Sequence, residues 1–322
     1  MAKYYDGCEH ITVKLLNFAG NDLARQCVLF GNLGEFYEGV KEYSPDDEHC
    51  QQIVDEIIHG KTFPKFAFEG HNIDFQINDI SRVCLAQLTR EPGFFCSASS
   101  GVRPLTQEFV VPRAIYKNEK WMKEINDIQN KIEKLYIDML ENDVNYMDAR
   151  YFGFHAQTIS ICYNATCTQW LRSCNKRTEN NIADEINYVY RLMYYELKKA
   201  VEETVTDPLS KKLWSWLLSF ADKKSWFQNH TFNNDFERFK TPETHIWIEP
   251  AHNDWRKSSW KLELERMYKL QPELLLPGEK EMIENWMKLE SKNKELPTTF
   301  DKNSKFASNQ SIKTVYYYNK EN

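Results

Sequence analysis

"FQINDISRVCLAQLTREPGFFCSASSGVRP", residues 75–104, changes its hydrophobic period twice, and the fold turns on how those changes are read. Leading into it, Ile73, Phe75 and Ile77 alternate with polar residues, the pattern of a strand with one buried face. From Ile80 the period lengthens. Ile80, Cys84, Gln87 and Leu88 stand at i, i+4, i+7 and i+8, one stripe of a helix, with Asp79 placed to cap it. Pro92-Gly93 breaks the pattern. Beyond it, Ser97, Ser99, Ser100, Gly101 and Arg103 make a small, hydroxyl-rich turn, flanked by Arg90 on one side and closed by Arg103 on the other. Such a turn suits a surface loop, or an anion site in which guanidinium groups and backbone N–H groups surround a phosphate.

Working outward, "HITVKLLNF" (10–18) reads as a strand and "HCQQIVDEIIHG" (49–60) as a helix ended by Gly60. The clearest helix is 121–142, where Ile125, Ile128, Ile132, Leu135 and Met139 step by three and four between charges. A second long helix carries Ile182, Ile186, Val189, Met193 and Leu197 on the same logic. The stretch between them, 151–177, has no clean period and is expected to be partly buried helix. The pattern predicts an α/β (α+β) domain with long helices packed on a mixed sheet. Composition shifts after residue 205, where seven of the nine tryptophans lie. The expected division is therefore 1–205 and a mainly helical, Trp-rich extension, 206–322, with a loosely held tail from Glu295.

Net charge is −6 over 322 residues, which argues against a general nucleic-acid binder while leaving room for a local basic pocket. No run reaches the roughly 18 apolar residues of a membrane span, and the N-terminus lacks a secretory pattern. The eight cysteines are scattered without a CxxC pair, as expected of reduced thiols in a cytoplasm. Cys162, Cys167 and Cys174 match no zinc-ligand spacing, so no metal is expected.

The residues Phe75, Ser81-Arg82-x-Cys84 and Gln87-Leu88-x-Arg90 resemble the segment leading into the signature of the flavin-dependent thymidylate synthases. Downstream, Ala149-Arg150, Asn164, Arg177 and Glu185-Ile186 follow the order and spacing of that family's second conserved region, and Glu69 stands where the family has a glutamate ahead of the strand. The resemblance spans about residues 10–200. It departs at the family's Arg-His-Arg, where Arg90 is followed by Glu91-Pro92. The run to the second arginine is one residue longer, Pro104 replaces a tyrosine, and Lys61 stands near a histidine position after Gly60.

The resemblance implies a reaction at C5 of a pyrimidine nucleotide, dUMP to dTMP, with FAD as cofactor and methylenetetrahydrofolate and NADPH as co-substrates. It also implies a homo-oligomer, a tetramer, with sites shared between subunits. Carried over residue by residue, Gln87, Arg90, Ser99, Ser100, Gly101, Arg103, Arg150 and Arg177 would bind substrate, Arg177 in the catalytic role. Glu69, Arg90, Asn164, Asn175 and Asn181 would contact the flavin. A carboxylate at 91 would repel a diphosphate, so Glu91 is expected to turn away. The ordinary alternatives stand beside these: arginines on solvated helix faces, Gln87 bonded within the core, Ser99 and Ser100 as turn residues, Cys96 packed rather than nucleophilic, the late tryptophans as core. Three functional outcomes stay open: the methylation, a sister C5 hydroxymethylation of dUMP or dCMP, and a non-catalytic nucleotide-binding homologue.

Overall fold

This computed structural model describes residues 2–30, 40, 42–59, 65–91, 94–98, 108–153, 155–178, 184–222, 259–276 and 279–290. They fall in two compact units, Met1–Lys224 and Ser225–Asn322.

The first unit is built on two sheets. β2 (Thr12–Asn17), β3 (Asn72–Ser81), β6 (Thr158–Thr166) and β4 (Phe94–Ala98) form an antiparallel sheet in the order β2-β3-β6-β4, while β1 (Lys3–Asp6) pairs in parallel with β5 (Glu108–Val111). Register decides the two faces of the larger sheet. Ile73 faces Ala165, Phe75 faces Tyr163 and Ile77 faces Ile161, all buried. The alternate pairs, Asp74 with Asn164 and Gln76 with Cys162, are half-buried or exposed. Helices cover the unit: α1 (Asp22–Phe30), α2 (Glu48–Ile58), α3 (Lys65–Gly70), α4 (Arg82–Leu88), α5 (Arg113–Tyr116), α6 (Glu119–Glu141), α7 (Tyr146–Ala149), α8 (Cys167–Arg177), α9 (Asp184–Thr204) and α10 (Pro208–Asp222). Ile186, Val189, Met193 and Leu197 of α9 are fully buried, and Trp170 of α8 stacks on Phe75 with ring centroids 6.2 Å apart.

Three expectations change. The segment 151–177 is half strand: β6 occupies its middle, and Ile159, Ile161, Tyr163 and Ala165 point inward. Its period of two is blurred because Cys162, on the other face, counts as apolar. The strand hands over to α8 at Thr166, which closes a capping box with Gln169. Asp79 does not cap α4. It sits at a register shift between Ile77 and Ile80 with φ 63°, a bulge that an aspartate tolerates. Ser81 is the cap, its Oγ accepting from the Cys84 N–H at 3.0 Å. Finally, α10 packs in the first unit, not in an extension. Trp214 is buried and donates its indole N–H to the Gly20 carbonyl at 3.0 Å, so the compact unit runs past residue 205 to Lys224.

In the second unit, α11 (Ser259–Leu270) and α12 (Glu279–Glu290) bury Leu264, Met267 and Ile283, with Leu274 between them; Glu263 accepts from Arg266 Nε at 2.8 Å. Among the described residues, no helix is long and apolar enough to cross a membrane.

Candidate active site

Helix α4 has candidate residues at both ends. At its start, Ser81 donates both its N–H (2.6 Å) and its hydroxyl to the Glu185 carboxylate, from the first turn of α9. The two sequence motifs far apart in the chain are thereby joined. At its end, the turn Thr89–Glu91 folds back, the Arg90 N–H reaching the Gln87 carbonyl at 3.3 Å and the Glu91 N–H the Leu88 carbonyl at 3.2 Å. This brings Glu91 inward, where it is 6% exposed.

The last turns of α8 meet it there. Ser173, Lys176 and Arg177, at i, i+3 and i+4, share a face. Ser173 Oγ donates to Glu91 Oε2 at 3.3 Å, Lys176 Nζ to Oε1 at 3.4 Å, and Arg177 pairs with Oε1 through both Nε and Nη2. Arg177 Nη2 also reaches the Gln87 carbonyl at 3.4 Å. Behind Ser173, the Tyr190 hydroxyl bonds to it and lies 3.3 Å from that of Tyr163. Burial pushes the Tyr190 phenol well above 10, with Tyr163 and Glu91 adding to the rise, so it stays neutral. Arg177 meets the Gln87 backbone carbonyl, and Arg90 lies in the same turn, but Glu91 turns toward Arg177 instead of away. Its charge is absorbed by two cations. The Arg90 guanidinium is exposed and has no ion-pair partner among the described residues. Ser173 and Lys176 were missed by the sequence reading; their one signal was helical spacing to Arg177.

Arg150 lies at the other end, opening the 3-10 turn Arg150–Phe152. Its charge bears on Arg82, the first residue of α4. Arg82 is half-buried, and its Nε is fully buried without a hydrogen bond among the described residues. Burial first, and Arg150 second, push its guanidinium below the ordinary value. Arg82 was part of the motif but had been given no role. A hint was available: an arginine in the first turn of a helix opposes the helix dipole.

The remaining candidates are dispersed. Asn164 donates an amide hydrogen to its cross-strand neighbour Asp74. Asn175 lies on α8 two residues before Arg177, and Glu69 is exposed at the end of α3. Ser99, Ser100, Gly101, Arg103 and Asn181 lie outside the described residues, as do Lys61 and the tryptophans at 226, 247 and 255. Part of the expected turn is strand, since Cys96 pairs in register with Tyr163 on β4. Cys8, Cys27, Cys50, Cys84, Cys167 and Cys174 are buried and in no disulfide, and Cys162 is exposed and in none; burial pushes the Cys167 thiol up to about 12, which makes it inert. No cluster of metal-ligating side chains occurs among the described residues.

Residues 24–202 match the family described as thymidylate synthase complementing protein. The match covers more than half of the chain, and the chain belongs to this family, the flavin-dependent thymidylate synthases. It is an enzyme of that type, acting at C5 of a pyrimidine nucleotide. None of the curated proteins matches it. Among solved structures it is similar to the UMP/dUMP methylase PolB from Streptomyces cacaoi bound with 5-Br dUMP, at 13% identity over 66% of this chain and 97% of that one, TM-score 0.49. It is also similar to thymidylate synthase X from Helicobacter pylori with FAD and dUMP, at 16% identity over 62% and 99%, TM-score 0.42.

Proposed function

We propose that the chain transfers a one-carbon unit to C5 of dUMP, giving dTMP, with FAD as cofactor and methylenetetrahydrofolate and NADPH as co-substrates. The observation that supports this reading is the meeting of α4 and α8 in a chain of this family, where Arg177 donates to the Gln87 carbonyl beside the turn that carries Arg90. Arg177 would act on the base. Arg103, Arg150, Gln87, Ser99, Ser100 and Gly101 would hold the nucleotide, with Arg90 between nucleotide and flavin. Glu69, Asn164, Asn175 and Asn181 would line the flavin side.

The residues present fit an anionic flavin nucleotide. The repulsion expected from Glu91 is offset, since that carboxylate is covered by Arg177 and Lys176 and leaves a net positive charge beside the exposed Arg90. When bound, FAD supplies the redox chemistry, and the protein positions and polarises the base. A homotetramer belongs to the same proposal. Trp121, Ile128 and Leu135 of α6 are 51%, 47% and 46% exposed at seven-residue intervals, an apolar stripe that assembly would cover.

The test is an absorbance spectrum of the purified protein with FAD and dUMP after free flavin is removed, followed by mass spectrometry of the product. Retained flavin and a product heavier by one methylene support the proposal. A product carrying an added oxygen replaces it with hydroxymethylation, and a colourless protein that still turns over dUMP replaces it with a flavin-free variant of the chemistry.

A further inference from the structure

Glu91 holds one edge of Arg177 and leaves the other. The Nε and Nη2 groups face the Glu91 carboxylate and the Gln87 carbonyl, whereas Nη1 makes no hydrogen bond among the described residues. The Arg177 side chain is 12% exposed and that of Glu91 is 5% exposed. A guanidinium held on one edge by a carboxylate loses most of its rotamer freedom and presents its remaining N–H groups in a fixed plane.

Glu91 is also unable to let go cheaply. Its backbone N–H is tied to Leu88, and its carboxylate takes donors from Ser173, Lys176 and Arg177, all on α8. Ser173 is itself held by the buried Tyr190. Swinging Glu91 out to make room for an anion would strand a buried cation and two further donors. Lys176 keeps the set cationic, so an incoming anion is still attracted.

From this we infer that Glu91 is a positioning residue: with Ser173 and Lys176 it aims the open edge of Arg177 at the pyrimidine nucleotide. It is neither a repulsive group nor a latch that the nucleotide must displace. The inference rests on the proposed nucleotide site, and it concerns a position where this chain departs from its family's signature.

The experiment compares the full chain with Glu91→Gln, Glu91→Asp, Arg177→Gln and the double variant Glu91→Gln/Arg177→Gln. Two readouts are taken: the Arg177 Nε–H signal by ¹H–¹⁵N NMR with and without dUMP, and kcat and KM where turnover is present. The expected result is a protected Arg177 signal in the parent that is lost in Glu91→Gln. With it goes a fall in kcat of about tenfold at little-changed KM, partial recovery in Glu91→Asp, and no further loss from Glu91→Gln once Arg177 is gone. Tighter dUMP binding by Glu91→Gln at undiminished kcat would overturn the inference in favour of a latch. Additive losses in the double variant would reduce Glu91 to a structural residue. If the parent signal is protected but dUMP neither moves it nor binds, the nucleotide site is wrong, and the inference falls with it for a reason the NMR readout identifies separately.

Discussion

Arg82 opens α4 and Arg177 lies against its last turn, and the two guanidiniums, the first half-buried and the second 12% exposed, sit in opposite electrostatic surroundings. Arg177 is paired with a carboxylate that has two further donors of its own. Arg82 has no such partner among the described residues, its Nε is buried without a bond, and its near charge is another arginine. A buried cation with a fixed counterion is part of the folded structure whether or not a ligand arrives. A half-buried cation facing a like charge raises the free energy of the empty protein, and an anion would relieve it. The first describes a pre-aligned group. On the proposed function, the second is a group that the nucleotide's phosphate would stabilise.

The contrast is broken most directly by making one substitution at both positions. Arg177→Met should abolish most turnover, by about a hundredfold or more. It should also destabilise the fold by about 3 kcal/mol, because Glu91 is left buried with only Lys176 and Ser173. Arg82→Met should leave stability unchanged or raise it slightly, since a half-buried, partly screened charge is removed and the stem's volume is kept. It should weaken dUMP binding by about tenfold to a hundredfold, the worth of one charge-assisted hydrogen bond. Denaturant midpoints and dUMP titrations check both. If the two variants lose the same stability, the distinction between paired and unpaired guanidiniums is wrong.

The sequence made part of this legible. The long helices α6 and α9 and the strand-to-helix change at α4 follow from hydrophobic period alone. Two family motifs in order picked out residues that lie at the ends of α4 and α8. What stayed hidden was pairing across the fold. Nothing local in "TREPG" says that Glu91 folds back under Gln87, because that depends on α8 arriving beside it. The central strand β6 was obscured by Cys162 on its polar face, and the bulge at Asp79 by a residue type that caps helices as readily as it bulges strands. The boundary at 205 was set by tryptophan count, whereas Trp214 packs against the loop before α1.

A smaller effect sharpens the picture at the start of α4. Ser81 is the helix cap and the ligand of Glu185, so Ser81→Ala should cost about 1–2 kcal/mol. It should lower dUMP affinity only as far as it shifts Arg82 and Arg150, whereas Arg177-dependent turnover, measured at saturating dUMP, should be little changed. A loss of turnover as large as that of Arg177→Met would mean that the two ends of α4 are one mechanical unit.

The smallest expected effect concerns bases that, unlike Arg82, answer burial by giving up a proton. His71 is 8% exposed with its Nε2 unbonded among the described residues, and burial pushes its pKa below 6.5 against a smaller opposing pull from Asp22. Burial also lowers the pKa of His10, although its ring bonds the Asp79 carbonyl at 2.9 Å, which works the other way. A folded pKa below the unfolded value means that, between the two, the unfolded chain binds more protons. Stability is therefore complete above about pH 6.5 and declines as pH falls from there through the folded values, each unit of depression being worth about 1.4 kcal/mol. Melting temperatures from pH 8 to pH 5 should fall only in the lower half of that range, and His71→Gln should flatten part of the fall while leaving the share due to His10. A melting temperature that rose on acidification would mean that these imidazoles are held protonated, and the analogy with the uncompensated Arg82 would fail at the one point where a titration can reach it.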